Sequence, residues 1–221
     1  MKPLIVVNLK TYETGTGKKA LKLAKLAEEV SISTGSKFIF CVQPADISMI
    51  SSQIRIPIYA QHIDPVTYGS NTGYILPESV KSAGAKGTLL NHAERKIDHR
   101  ILKNSISFAK EKGLAVIACA DSVKEAREIA HFNPDYIAVE PPELIGGDIS
   151  VSTSKPEIIT SAIKAVEKVN PKIKVLVGAG IKTGLDVKKS AELGAAGVLL
   201  ASGVTKAKNP KKVLENLVSL A

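Results

Sequence analysis

A few polar residues of this 221-residue chain stand directly after short apolar runs, and their types suit proton chemistry beside a negative charge. Glu140 follows Tyr136–Val139 and precedes Pro141-Pro142. A carboxylate at the end of an apolar run, backed by a stiff turn, is a candidate general base. His92 follows Leu89-Leu90 and leads into Ala93-Glu94-Arg95-Lys96. If that turn is helical, its positive end favours an uncharged imidazole, which still donates a hydrogen bond to a carbonyl. Lys10 closes the otherwise apolar run Leu4–Leu9, with Asn8 just inside it. A fixed ammonium there binds phosphate or steadies an oxyanion. Taken singly, each residue also has a plain structural reading: a surface Glu opening a loop, a hydrogen-bonded His, a lysine reaching for water. His62, His99 and His131 lack a comparable position and read as structural or surface residues, His62 being nearest to a run's end.

Two late turns, Gly178-Ala179-Gly180 and Ala201-Ser202-Gly203, follow apolar runs. With a helix start beside them, their backbone N–H groups would cradle a phosphate. That signal points to a phosphorylated ligand without naming a reaction. The stretch from Pro141 to Asp148 joins a proline-rich entry to a Gly146-Gly147 exit, a pattern suited to a lid that excludes water.

The elements that must position these groups alternate. Strand-like runs are predicted at Leu4–Leu9, Phe38–Val42, Ile56–Ala60, Gly87–Leu90, Ala115–Cys119, Tyr136–Val139, Lys174–Val177 and Gly197–Leu200. Their continuous apolar character fits strands buried on both faces of a parallel sheet. Between them lie helical patterns at Lys18–Ser33, a weak one at Ala45–Ser52, then Ile101–Lys112 and Val123–His131. Later ones begin at Pro156, Thr183 and Pro210. Ser122/Glu125 and Ser154/Glu157 have capping-box spacing. Eight strand–helix units without a linker predict a single domain over residues 1–221, an α/β fold of the (β/α)8-barrel type. The rival, a doubly wound sheet, would carry a glycine fingerprint after its first strand, where this chain has Asn8-Leu9-Lys10. In a barrel the chemistry gathers at the strands' C-terminal ends, which is where the residues above fall.

Composition narrows the options. The formal net charge is +9, but the excess is lysine, with Arg55, Arg95, Arg100 and Arg127 the only arginines, and aromatics are 4 %. That reads as a solvated surface, with some pull on an anionic substrate, and argues against nucleic acid. Cys41 and Cys119 read as buried reduced thiols with no clustered His, so no metal site is expected. No run reaches membrane-spanning length and no opening segment has signal-peptide form, so a cytoplasmic protein is expected.

The order Asn8-Leu9-Lys10, His92-Ala93-Glu94-Arg95, Ala138-Val139-Glu140-Pro141, Ile145-Gly146 and the two glycine turns resembles triosephosphate isomerase along the whole chain, in its compact archaeal form. That family is itself a worked example of a Glu base paired with a neutral His. The resemblance implies a (β/α)8 TIM barrel that interconverts dihydroxyacetone phosphate and D-glyceraldehyde 3-phosphate through an enediol(ate), in glycolysis and gluconeogenesis, with no cofactor. It implies Glu140 as base, His92 as neutral electrophile and proton shuttle, Lys10 as positive charge and Asn8 as orienting group. Glu94 would support Lys10. Leu9, Ile145, Gly146, Gly180, Ala201 and Ser202 would surround the substrate and its phosphate. It further implies a homodimer or homotetramer, the stretch Asp64–Tyr74 resembling the loop that reaches into a neighbouring subunit. The chain departs from the family pattern in having no Trp, Gly146-Gly147-Asp148 at the lid exit, and Ala179 and Ala201-Ser202 in the phosphate turns. On residues alone, another phosphosugar barrel isomerase or lyase and a non-catalytic phosphate-ligand sensor remain alternatives.

Overall fold

The structure is a computed structural model and describes residues 2–141 and 150–220. Eight parallel strands close into a barrel in chain order. They are β1 (Leu4–Asn8), β2 (Lys37–Val42), β3 (Ile58–Ala60), β4 (Gly87–Leu90), β5 (Ala115–Ala120), β6 (Tyr136–Val139), β7 (Lys174–Val177) and β8 (Gly197–Leu200). The sheet closes where β1 pairs with both β2 and β8, Leu4 lying opposite Lys37 on one side and Gly197 on the other. That last pairing needs a glycine, since a Cβ at Gly197 would stand 2.1 Å from the Leu4 carbonyl oxygen.

Because side chains alternate along a strand, the apolar runs split into two layers. Val6, Ile39, Cys41, Leu89, Ile117, Cys119, Ala138, Leu176 and Leu199 fill the barrel's interior. Their neighbours Ile5, Val7, Phe40, Leu90, Val139 and Leu200 face the surrounding helices. Runs apolar at every position are therefore needed, and no one-sided strand would serve.

The covering helices follow from local rules. Helix α1 (Gly17–Thr34) buries Ala20, Leu23, Ala24, Ala27 and Val30, the spacing that keeps one face on the barrel. Next come α2 (Ile47–Ser51), α3 (Pro77–Ser82), α4 (His99–Glu111) and α5 (Val123–Ala130). They are followed by α6 (Val151–Ser154), α7 (Pro156–Glu167), α8 (Gly184–Glu192), α9 (Ser202–Thr205) and α10 (Pro210–Val218).

Several local expectations are corrected. The short helices α3, α6 and α9 carry too few periodic positions to stand out in sequence. Strand β3 starts two residues later than Ile56. Pro57 has no N–H to give the ladder, although its carbonyl accepts from the Phe40 N–H (3.1 Å). Ser154 does not open a capping box with Glu157. It ends α6 and donates back to the Ser150 carbonyl (3.0 Å), and Lys155 separates it from α7. A complete box instead starts α8, between Thr183 and Asp186. The lid expected between Pro141 and Asp148, with Ile145 and Gly146, lies outside the described residues from residue 142 on.

Candidate active site

The strands deliver the polar groups to one mouth. One cavity at their C-terminal ends is lined by Asn8, Lys10, His92, Glu140, Ala179–Lys182, Ala201 and Ser202, among others. Groups read from five separate strand ends thus share one space.

Glu140 continues the ladder one step beyond β6, its N–H donating to the Ala120 carbonyl (2.9 Å). The residue is 5 % exposed, and its Oε2 has no hydrogen-bond partner among the described residues. Burial pushes the carboxyl above its ordinary value of 4.5, while a hydrogen bond from the Cys119 thiol and the Lys10 ammonium partly counter it. The carboxylate lies over Gly178, where a Cβ would meet Glu140 Cγ at 2.3 Å and Oε1 at 2.6 Å. The glycine after β7 thus makes room for the acid after β6.

His92 is 8 % exposed and caps a 3-10 turn, Ala93–Arg95. Its Nδ1 accepts the Glu94 backbone N–H (3.1 Å). An accepting nitrogen carries no proton, so the ring is the neutral tautomer with its hydrogen on Nε2. That nitrogen stands 3.8 Å from Glu140 Oε2, too far for a direct hydrogen bond and close enough for both to touch one small substrate.

Lys10 adopts φ +49°, the left-handed region that an L side chain enters at a cost of about 1–2 kcal/mol. The turn aims its ammonium across the mouth, where it meets Glu94 Oε1 at 2.8 Å. Glu94 is 60 % exposed, so this pair orients Lys10 more than it stabilises the fold. Asn8, buried, accepts the Lys10 N–H through Oδ1 (3.0 Å). Among the described residues its amide N–H2 makes no hydrogen bond, which leaves it for a ligand oxygen.

Gln61 was not among the sequence candidates. Its Nε2 donates to Asn8 Oδ1 (3.2 Å) and to the Lys10 carbonyl (2.9 Å), clamping the end of β1. It is the first polar residue after β3, so the strand-end rule that found the others would have found it. Tyr12 and Lys182 also line the cavity and lie beyond the strand ends that sequence reading searched. His62 is buried against Asp64 (3.1 Å), and Asp64 also accepts the Ile75 N–H (2.7 Å). It thereby fastens the base of the 64–75 loop, a structural part. Leu9 does not line the cavity. Alternation turns Asn8 and Lys10 inward, so Leu9 points outward and is fully buried among the helices. On the phosphate side, Ala179 and Gly180 both have φ +72°, and α9 begins at Ser202, leaving its first N–H groups without intrahelical partners.

Fold and site together define a (β/α)8-barrel enzyme with acid–base groups at the C-terminal mouth. A family model described as triosephosphate isomerase matches residues 3–220. The chain belongs to the triosephosphate isomerase family. A relative from Methanothermus fervidus is 47 % identical over 218 residues, covering 99 % of this chain and 98 % of its own, and bears that name. One from Methanocaldococcus jannaschii is 46 % identical over 215 residues, 97 % and 98 %. A crystal structure of triosephosphate isomerase from Bartonella henselae superposes with a TM-score of 0.72 at 21 % identity, covering 91 % of this chain and 92 % of that one, and shows the shared fold.

Two outcomes follow. Gly178→Ala should push Glu140 out of line and lower kcat at least about 10-fold with the fold retained by circular dichroism. An alanine enzyme with native kcat would show that Glu140 does not need that space. A general base must be ionised, so with Glu140 in that role kcat/KM should fall on acidification through an apparent pKa above 4.5. An acid limb at or below 4.5 in the pH–rate profile of the free enzyme would contradict the burial argument.

Proposed function

We propose that Glu140, His92, Lys10 and Asn8 carry the isomerisation, held around the carbonyl and adjacent carbon of a triose phosphate. The activity is that of a triosephosphate isomerase, an aldose–ketose interconversion. Glu140 takes the proton from the carbon beside the carbonyl, and negative charge develops on the carbonyl oxygen. The Nε2–H of His92 donates to that oxygen, with the Lys10 ammonium and the Asn8 amide beside it. One preorganised donor of this kind is worth roughly 3–4 kcal/mol in the transition state. Glu140 then returns the proton to the neighbouring carbon while His92 moves a proton between the two oxygens. The observation that carries this reading is the Glu140–His92 pair, whose open Oε2 and Nε2–H face each other at 3.8 Å in the cavity that Lys10 shares.

The phosphate would rest on backbone N–H groups around Gly180, Ala201 and Ser202, with Ile145 and Gly146 completing the enclosure. Ala179 brings no hydroxyl to this turn, so the main chain carries more of the contact. Phosphate binding energy holds the reacting carbons in place and contributes to closure over them.

Glu140→Gln keeps the shape and removes the base. It should lower kcat by more than about 1000-fold while a phosphate-bearing enediolate mimic still binds, measured by a coupled assay and by calorimetry. Near-native turnover would remove Glu140 from the base's role.

The assembly belongs to the same reading: a homodimer or homotetramer joined through the 64–74 loop. The loop's base is fixed by Asp64 and its rim exposes the large rings of Tyr68 and Tyr74, 76 % and 59 % accessible. Exposed aromatics on an anchored loop are typical interface anchors. No helix among the described residues is long and apolar enough to cross a membrane. Light scattering should give at least twice the mass of the 221-residue chain, and Tyr68→Ser should shift it toward the monomer. A native chain that stays monomeric at high concentration would refute the assembly.

A further inference from the structure

We infer that Asn91 and Glu125 are positioning residues for His92: they hold the segment that carries the imidazole at a fixed depth opposite Glu140. The inference rests on the assignment of His92 given above. Asn91 directly precedes His92, is 1 % exposed, and sits at φ +58°. Its side chain uses both amide hydrogens and its oxygen. Nδ2 donates to the Cys119 carbonyl of β5 (2.9 Å) and to Glu125 Oε1 of α5 (3.0 Å). Oδ1 accepts the N–H of Ile97 (3.1 Å), six residues on. One side chain therefore closes the stretch 91–97 into a loop and ties that loop to the neighbouring strand and helix.

Glu125 secures the far side. Its two oxygens accept from Lys96 Nζ (2.7 and 2.9 Å), and Oε2 also accepts the Asp121 N–H (2.7 Å). The Ser122 hydroxyl accepts the Glu125 N–H (3.2 Å), as capping-box spacing predicts. The carboxylate does not return to the Ser122 N–H as a reciprocal box requires. It reaches one residue further back and leaves Oε1 for Asn91 and Lys96. Burial alone would push this carboxyl up, but the Asp121 N–H, Lys96 and Asn91 more than offset it and hold it below 4.5. It therefore stays an anion and a strong acceptor.

The consequence for chemistry is geometric. The 3-10 turn that presents the Glu94 N–H to His92 Nδ1 lies inside the closed loop, so the clamp fixes both the ring's position and the acceptor state of Nδ1. A transition-state donor displaced by about 1 Å loses on the order of 100-fold in rate. Gly180 and Ser202, which hold the phosphate in the proposed reading, stand outside the loop, and Lys10 meets it through exposed Glu94, so the loss is expected in kcat more than in phosphate affinity.

Asn91→Gly separates this role from backbone support, because glycine adopts φ +58° at no steric cost and only the clamp is lost. We expect kcat to fall about 10- to 100-fold, with KM and the inhibition constant of inorganic phosphate within about twofold. Ring 15N spectra should show His92 losing its single Nε2–H tautomer. Glu125→Gln should act in the same direction, by about 3- to 10-fold, and stands in if Asn91→Gly does not fold. Native kcat in a folded variant overturns the inference, as does a loss carried by KM and phosphate affinity. His92→Gln, run alongside, separates the two failures. If it keeps native kcat, the role of His92 falls; if it alone loses kcat, only the clamp does.

Discussion

The mouth of the barrel is organised around one buried carboxylate with an oxygen left unpaired among the described residues. Glu140 Oε2 has no partner among the described residues, and burial raises the acid's pKa. A fully hydrogen-bonded carboxylate would be easier to bury and a poorer base. The Cys119 thiol and the Lys10 ammonium partly offset the burial, and Oε2, the oxygen that takes a proton in the proposed reaction, stays unpaired among the described residues. The fold tolerates that oxygen because the closed barrel holds the surrounding strands rigidly, the ladder bonds on both sides of Glu140 included.

The same barrel explains where backbone strain collects. Among the described residues, the non-glycine positions with left-handed φ are Lys10, Asn91, Asn133 and Ala179. Three of these follow β1, β4 and β7 at the mouth. An ordinary turn would carry the chain straight into the next helix. A left-handed residue redirects it, so that Lys10, His92 and the Gly180 turn point across the opening. Such strain persists only where the surroundings over-determine it. Here Gln61 fixes Lys10 through its carbonyl, and Asn91 is fixed through all of its amide groups.

Electrostatics is divided between ends and roles. Many of the lysines, Lys18, Lys19, Lys22 and Lys25 among them, lie on exposed helix faces, where screening weakens each charge. Lys10 differs because it sits at a cavity wall beside an imidazole and a buried carboxylate, where the local dielectric is low and its charge would act strongly on the oxyanion of the proposed reaction. Glu94 does not cancel it, being exposed and attached at one oxygen. The Nδ1 of His92 is engaged by a main-chain N–H, so the ring stays a neutral donor beside those charges.

The sequence by itself determined the alternation of strands and helices, and with it the barrel, because runs apolar at every position fit only strands covered on both faces. Gly87–Leu90, Tyr136–Val139, Lys174–Val177 and Gly197–Leu200 fall at the residues read from the sequence; Tyr136–Val139 is bracketed by Asp135 and Glu140, and Lys174–Val177 ends at Gly178. It also picked out Asn8, Lys10, His92 and Glu140, because a polar residue ending such a run is conspicuous. Tertiary structure alone decided what distant stretches do to one another. Gly178 is empty because Glu140 needs the space, and Gln61 matters because β3 lies beside the β1–β2 pair. Leu9 turns away because its neighbours turn inward, and Glu125 reaches Asn91 in place of its own helix cap. Contacts between residues tens of positions apart leave no periodic trace in the chain, so only closure of the barrel brings them into view.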